Sequence, residues 1–261
     1  MRIKPKKRLG QNFLVNKNIR GKIAGLLGLT HSDTVLEIGA GRGELTRLIA
    51  QKAKKVIALE IDPCLCAILR DNLNGLSNVE IINRDVLKFD LDSRLPKPGG
   101  KLKVFGNIPY YISTPIIERF FEHRDRIDSI FITVQKEFAR RMCAKPGSKD
   151  YGAFSCFVQY YSEPKMLLEI SKGSFFPVPK VDSCLVRLKM RDKPAVDAQD
   201  EALLFKVIRS AFNQRRKILR NSLQGVIFEA KLEEFFRKYG IERNIRPERL
   251  SLHDFACLVN M

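Results

Sequence analysis

The sequence predicts an α/β protein in which a Rossmann-like sheet carries helices on both faces and is followed by a small all-helical domain. Three observations predict it. Short apolar runs alternate with helix-length segments as far as about residue 190, residues 191–200 (RDKPAVDAQD) are polar, and everything beyond has helical periodicity. Strands separated by helix-length segments imply a parallel sheet with crossover helices.

The elements follow in order. Residues 18–28 place Ile19, Ile23, Leu26 and Leu27 on one helical face. Thr34–Ile38 reads as a buried strand, Glu44–Lys52 as a helix and Lys55–Glu60 as a second strand. Pro63–Leu73 reads as a helix with Pro in its first turn, where the missing N–H costs nothing. Val79–Ile82 and Leu102–Phe105 are the third and fourth strands, Pro115–Glu122 a helix and Ile130–Val134 a fifth strand. Leu167–Ile170 and Cys184–Leu188 make seven strands in all. The periodic segments 201–223, 229–238 and 247–259, broken at Gly240 and Pro247, are the helices of the second domain. The expected division is 1–194 and 195–261.

The chain has 261 residues and a formal charge of +18, and the charge is unevenly spread. Residues 1–32 hold eight Lys/Arg and no acid, and residues 202–228 hold six (Lys206, Arg209, Arg215, Arg216, Lys217, Arg220), again without an acid. Two long acid-free basic stretches are an electrostatic footprint for a polyanion, nucleic acid before membrane. The six cysteines form no CxxC pair and the three histidines lie far apart, so neither a metal site nor a catalytic triad is expected. The thiols are read as reduced, in a cytosolic protein. The basic N-terminus has no apolar stretch behind it, so it is not read as a signal peptide, and no apolar run approaches the roughly 20 residues needed to span a bilayer.

Chemistry concentrates at strand ends. Val35–Thr46 (VLEIGAGRGELT) passes from a strand through glycines into a helix, which lets backbone approach a ligand at the carboxyl edge of the sheet. A dinucleotide fingerprint would need glycine where Glu44 stands, so GxGxG after Glu37 suits a ligand carrying adenosine and an amino acid. Glu60 ends the second strand 21 residues after Gly39, where an acid accepts from ribose hydroxyls; Asp62 is its rival for that role. Asp85, after the third strand, is placed to accept from an adenine amino group. After the fourth strand comes Phe105-Gly106-Asn107-Ile108-Pro109-Tyr110. An exocyclic adenine amine is a poor nucleophile because its lone pair is delocalised into the ring. The Asn107 side-chain carbonyl and the Ile108 backbone carbonyl can accept its two N–H bonds and free that lone pair, while Tyr110 offers a stacking face.

With Leu9–Leu14 (LGQNFL), Glu37–Thr46, Asn107–Tyr110, Phe175–Ser183 (FFPVPKVDS) and Ala211–Lys217 (AFNQRRK), the chain resembles the KsgA-type ribosomal RNA adenine dimethyltransferases from end to end. The resemblance implies an S-adenosylmethionine-dependent methyltransferase fold with a mixed seven-stranded sheet. It implies that Asn12, Leu14, Gly39, Glu60, Asp85 and Asn107 contact S-adenosylmethionine, and that Tyr110 and Phe175 sandwich the flipped adenine. The substrate it implies is a pair of adjacent adenosines in the 3′-terminal hairpin loop of small-subunit rRNA in a pre-30S particle, met by a cytoplasmic monomer. Ile108 and Phe176 are its only visible departures, both conservative. A macrolide-resistance methyltransferase acting on large-subunit rRNA is the nearest rival, and the Phe-x-Pro-x-Pro run and the Gln-Arg-Arg-Lys segment argue against it. A non-catalytic assembly factor on the same scaffold is disfavoured by the intact glycine turn and its acids.

Overall fold

The computed structural model describes residues 5–6, 9–94, 100–109, 112–214 and 217–261; Tyr110, Arg215 and Arg216 lie outside the described residues. The first half runs β1 (Phe13–Leu14), α1 (Lys17–Leu26), β2 (Thr34–Ile38), α2 (Glu44–Ala50), β3 (Lys55–Glu60), α3 (Pro63–Asn72), β4 (Val79–Asn83), β5 (Leu102–Asn107), α4 (Ser113–Glu122) and β6 (Ile127–Gln135). There follow α5 (Lys136–Cys143), α6 (Ala153–Tyr161), β7 (Ser162–Ile170), β8 (Phe175–Phe176) and β9 (Ser183–Met190). The chain ends in α7 (Glu201–Phe212), α8 (Leu219–Ser222), α9 (Glu229–Tyr239) and α10 (Leu252–Asn260).

Seven strands form one sheet in the order β4-β3-β2-β5-β6-β9-β7. β2, β3 and β5 are near-continuous aliphatic runs because helices cover both faces, and most of their side chains are buried. The pairs from β4 across to β6 are parallel, and β9 runs antiparallel to β6, Gln135 facing Ser183. The sheet is therefore mixed. From β2 the chain first builds outward through β3 and β4, then returns to pair β5 on the other side of β2. That reversal is a topological switch point, and it leaves a crevice at the carboxyl ends of β2 and β5, where Ile38 faces Gly106. Beneath it Ile23, Leu27, Val35, Ile49, Val56 and Phe105 form the core.

The compact units divide differently from the expected boundary at 194/195. One unit runs to Ala139 and resumes over Lys165–Met190; the other joins Arg140–Pro164 to Arg191–Met261. Residues 140–164 belong with the C-terminal helices because α6 is aromatic on the side that meets α7. Phe157 and Tyr160 pack edge-on against Phe205 with ring centroids 5.6 and 5.1 Å apart, and Tyr151 meets Phe212 at 5.8 Å. Asp200 caps α7 by accepting from the Leu203 N–H at 2.8 Å. The segment expected as one helix over 201–223 is instead two, α7 and α8. Among the described residues no helix is long and apolar enough to cross a membrane.

Candidate functional site

A cavity of about 110 Å³ opens at the switch point. Four elements build it. The turn after β2 supplies Gly39 and Gly41, the end of β3 supplies Glu60, the end of β4 leads to Asp85, and the end of β5 supplies Asn107 and Pro109. The fifth wall is the N-terminal arm, Leu9–Phe13.

The turn needs its glycines for two reasons. Gly43, the N-cap of α2, has φ +83, a backbone conformation that strains any side chain, and a Cβ there would also press on Leu69 Cδ1 of α3 at 2.7 Å. Gly41, at φ +61, points its N–H at Glu60. Glu60 is buried, and its carboxylate accepts from the Gly41 N–H and the Asp62 N–H, both at 2.9 Å. Burial nevertheless outweighs those two bonds and raises its pKa. Each carboxylate oxygen keeps a second lone pair, so the group is held rigidly and still has acceptor capacity toward the cavity.

Asp62 is committed elsewhere. It caps α3 through the Cys64 N–H at 3.0 Å and holds the arm through Lys6 Nζ at 2.8 Å and Gln11 Nε2 at 3.3 Å. Burial opposes its charge, yet Lys6, the Cys64 N–H and Gln11 keep its carboxyl below the usual range. Its surroundings tie down the arm and leave Glu60 as the acid facing the cavity. Asp85 caps the short turn Val86–Lys88 through the Leu87 N–H at 3.0 Å.

Asn107 donates from Nδ2 to the Asn12 backbone carbonyl at 3.0 Å. A carbonyl can only accept, so this bond fixes which end of the amide is which and leaves Oδ1 as the accepting end. The neighbouring Ile108 is buried.

Of the residues expected to surround the cofactor, Asn12, Gly39, Glu60, Asp85 and Asn107 line this one cavity. Leu14 does not, and neither does Phe175, which was expected against the flipped adenine; the two face each other in a two-stranded ribbon, β1 against β8, and pack into the core beneath. Phe175 is 2% exposed, whereas Phe176 beside it is 53% exposed. Replacing Phe175 by Ala should therefore cost about 3–5 kcal/mol of stability, read by chemical denaturation. Phe175→Leu retains most of the apolar volume. If that variant melts like the parent but loses activity, the ring acts on substrate; a parallel loss of both assigns it to the core.

Glu37, which opens the glycine motif but carries no role in it, is fully enclosed near the end of β2. Burial pushes its carboxyl up to about 8, with the Thr46 hydroxyl opposing and the Glu60 charge adding. The unfolded chain titrates this group near its ordinary 4.5, so between 4.5 and about 8 the folded state keeps a proton that the unfolded chain has lost. Its effect is nil below 4.5, and stability then falls by about 1.4 kcal/mol per pH unit through that window. Glu37→Gln should flatten this decline, which urea titrations from pH 6 to 9 would detect as a variant gaining on the parent as pH rises.

Comparison with known proteins agrees with this architecture. The family model "Ribosomal RNA adenine dimethylase" matches residues 2–261. A "Ribosomal RNA small subunit methyltransferase A" of Alkaliphilus oremlandii is 43% identical over 259 residues, covering 97% of this chain and 90% of the relative. Among solved structures, a dimethyladenosine transferase from Plasmodium falciparum superposes with a TM-score of 0.77 at 27% identity, covering 94% of this chain and 95% of the other. The 23S rRNA methyltransferase ErmE does so with 0.76 at 26% identity, covering 95% of this chain and 100% of the other. By sequence along its whole length and by fold, this chain belongs to the ribosomal RNA adenine dimethylase family.

Proposed function

We propose that this protein transfers methyl groups from S-adenosylmethionine to N6 of two adjacent adenosines in the 3′-terminal hairpin loop of small-subunit rRNA, acting as a cytoplasmic monomer on a pre-30S particle. The observation that carries the reading is Asn107, whose amide is oriented by the Asn12 carbonyl at the rim of a cavity that also holds Glu60 and Asp85. The donor set fits the cofactor. Glu60 has acceptor capacity for ribose hydroxyls, Asp85 for an adenine amino group, and Gly39 and Gly41 offer backbone without side-chain obstruction. S-adenosylmethionine, when bound, supplies an electrophilic methyl group on a sulfonium sulfur. The protein's part is to orient the nucleophile: Asn107 Oδ1 and the Ile108 carbonyl accept the two amine hydrogens and hold the nitrogen pyramidal. Tyr110 and Phe175 are assigned to capture the flipped base; Phe175 must become accessible for this when RNA binds. The helical unit is assigned to rRNA docking.

Small-subunit rRNA is favoured over large-subunit rRNA because the relative at 43% identity is a small-subunit enzyme, whereas ErmE stands at 26%. Tritiated methyl transfer into methylation-deficient small subunits, with mapping of the modified nucleotides, tests this directly. Label appearing only in large-subunit precursors would overturn it.

Glu60→Ala should weaken S-adenosylmethionine binding at least tenfold, since hydrogen bonds to a charged group are each worth roughly 1.5–3 kcal/mol. The same change strands the Gly41 and Asp62 N–H groups, so calorimetric affinity must be read beside a melting curve. Unchanged affinity in a folded variant would rule Glu60 out as the ribose acceptor.

A further inference from the structure

The segment after β7 exposes an apolar ridge that the cofactor cavity does not use. Phe176, Val178 and Val181 are 53%, 61% and 44% exposed, while Phe175 and Ser174 are buried. Residues 171–182 also carry Lys172 and Lys180, both exposed, and one acid, Asp182, which accepts from the Lys172 backbone N–H at 2.9 Å. Three large apolar side chains so close together on a cationic surface are costly to leave in water, and they mark a binding surface.

The ridge is placed by the β1–β8 ribbon. Phe176 faces Phe13 across the ribbon, Phe13 lines the cavity, and the next residue, Asn12, holds the Asn107 amide at 3.0 Å. Paired strand residues have Cα atoms roughly 4.5–5.5 Å apart, and successive residues advance about 3.3 Å. The Phe176 ring is thus anchored within two residues of the group assigned to the reacting nitrogen, on the same ribbon face as its cavity-lining partner Phe13, and open to solvent. Strand alternation makes this unavoidable: with Phe175 turned into the core, Phe176 must turn out.

We infer that Phe176 is a stacking platform for the nucleotide adjoining the one being methylated, and so helps to fix which of two neighbouring adenosines enters the cavity. This rests on the function proposed above. Unpaired loop bases are recognised by stacking on exposed aromatic rings, and the flanking Lys172 and Lys180 suit the phosphates on either side of such a base. Lys172 and Lys180 beside the ridge outnumber its single acid, Asp182, and the chain's own net charge of +18 opposes a second copy, so the surface favours RNA.

The test uses the full-length protein with methylation-deficient small subunits. Phe176→Ala should raise KM for the subunit by roughly five- to a hundredfold, the range for removal of one stacked base. It should also shift the ratio of methylation between the two adenosines, with melting temperature and S-adenosylmethionine affinity unchanged. Phe176→Tyr should restore both values and Phe176→Leu should not. The inference is overturned if Phe176→Ala leaves KM and the ratio unaltered, or if Phe176→Leu matches the parent. It is equally overturned if light scattering shows that the parent self-associates and Phe176→Ala does not. A parent that methylates no small-subunit adenosine overturns the function itself; a parent that does, with an indifferent Phe176, overturns only this inference.

Discussion

Asn107→Ala is expected to reduce turnover by about two to three orders of magnitude, the effect of removing one preorganised hydrogen-bonding group from a transition state. The adenine amine becomes nucleophilic only when its hydrogens are held out of conjugation, and in the proposed mechanism Oδ1 of Asn107 is the side-chain acceptor for that. The Nδ2 bond to Asn12 is a separate contribution, since breaking it costs roughly 1 kcal/mol and loosens the arm. A companion variant separates the two. Asn107→Asp keeps an acceptor oxygen but sets a carboxylate against the Asn12 carbonyl, so it should disturb cofactor affinity as well as turnover. Single-turnover methylation at saturating cofactor isolates the chemical step. Near-normal turnover in a folded Asn107→Ala protein would remove Asn107 from the chemistry.

The second large effect is expected in substrate docking. Reversing Arg215, Arg216 and Lys217 to Glu should weaken small-subunit binding strongly. It should also flatten the salt dependence by about 0.7–0.9 in the log–log slope for each phosphate that is no longer neutralised. Lys217 is exposed and Arg215 and Arg216 lie outside the described residues. Arg220, counted in the same basic stretch, differs: it is ion-paired with Glu229 and Glu233, and Glu233 also binds Arg243 at 2.7 Å. Its charge is locally compensated, so it is left out of the triple variant. Cofactor affinity should not move, because Lys217 does not line the cavity and none of the three belongs to the glycine turn or the strand ends that build it. Binding measured across a salt series decides the matter; an unaltered slope and affinity would refute docking through this cluster.

Much of the fold was legible because its signals were redundant. β2 and β3 begin and end where their aliphatic runs do, and β5 only extends beyond its run to Asn107. The glycine turn, Glu60, Asp85 and Asn107 each follow a strand of one sheet, so topology brings them to one cavity without further information. What escaped was local and paired. β1 and β8 are two residues each, too short for periodicity to show, yet their register decides that Phe175 is buried and Phe176 is not. α6 (AFSCFVQYY) is a short, mostly apolar run, and such runs do not distinguish a buried helix from a strand by periodicity. Asp62 stood as the rival of Glu60 for the ribose hydroxyls, and only the structure shows that it caps α3 and is strapped to Lys6, which leaves Glu60 to face the cavity.

The discontinuity of the helical unit has a consequence for the order in which the nascent chain can mature. α6 leaves the ribosome before α7, whose first residue, Glu201, follows Tyr161 by 40 positions. At roughly 5–20 residues per second that interval is about 2–8 s, during which Phe157, Tyr160 and Tyr161 have no Phe205 to pack on. The sheet is delayed too, since β9 closes against β6 only after α5 and α6 have emerged. Cutting the gene after Met190 would make that waiting state permanent. The product should bind dyes that recognise exposed apolar surface and precipitate, even with every cavity-lining residue still encoded.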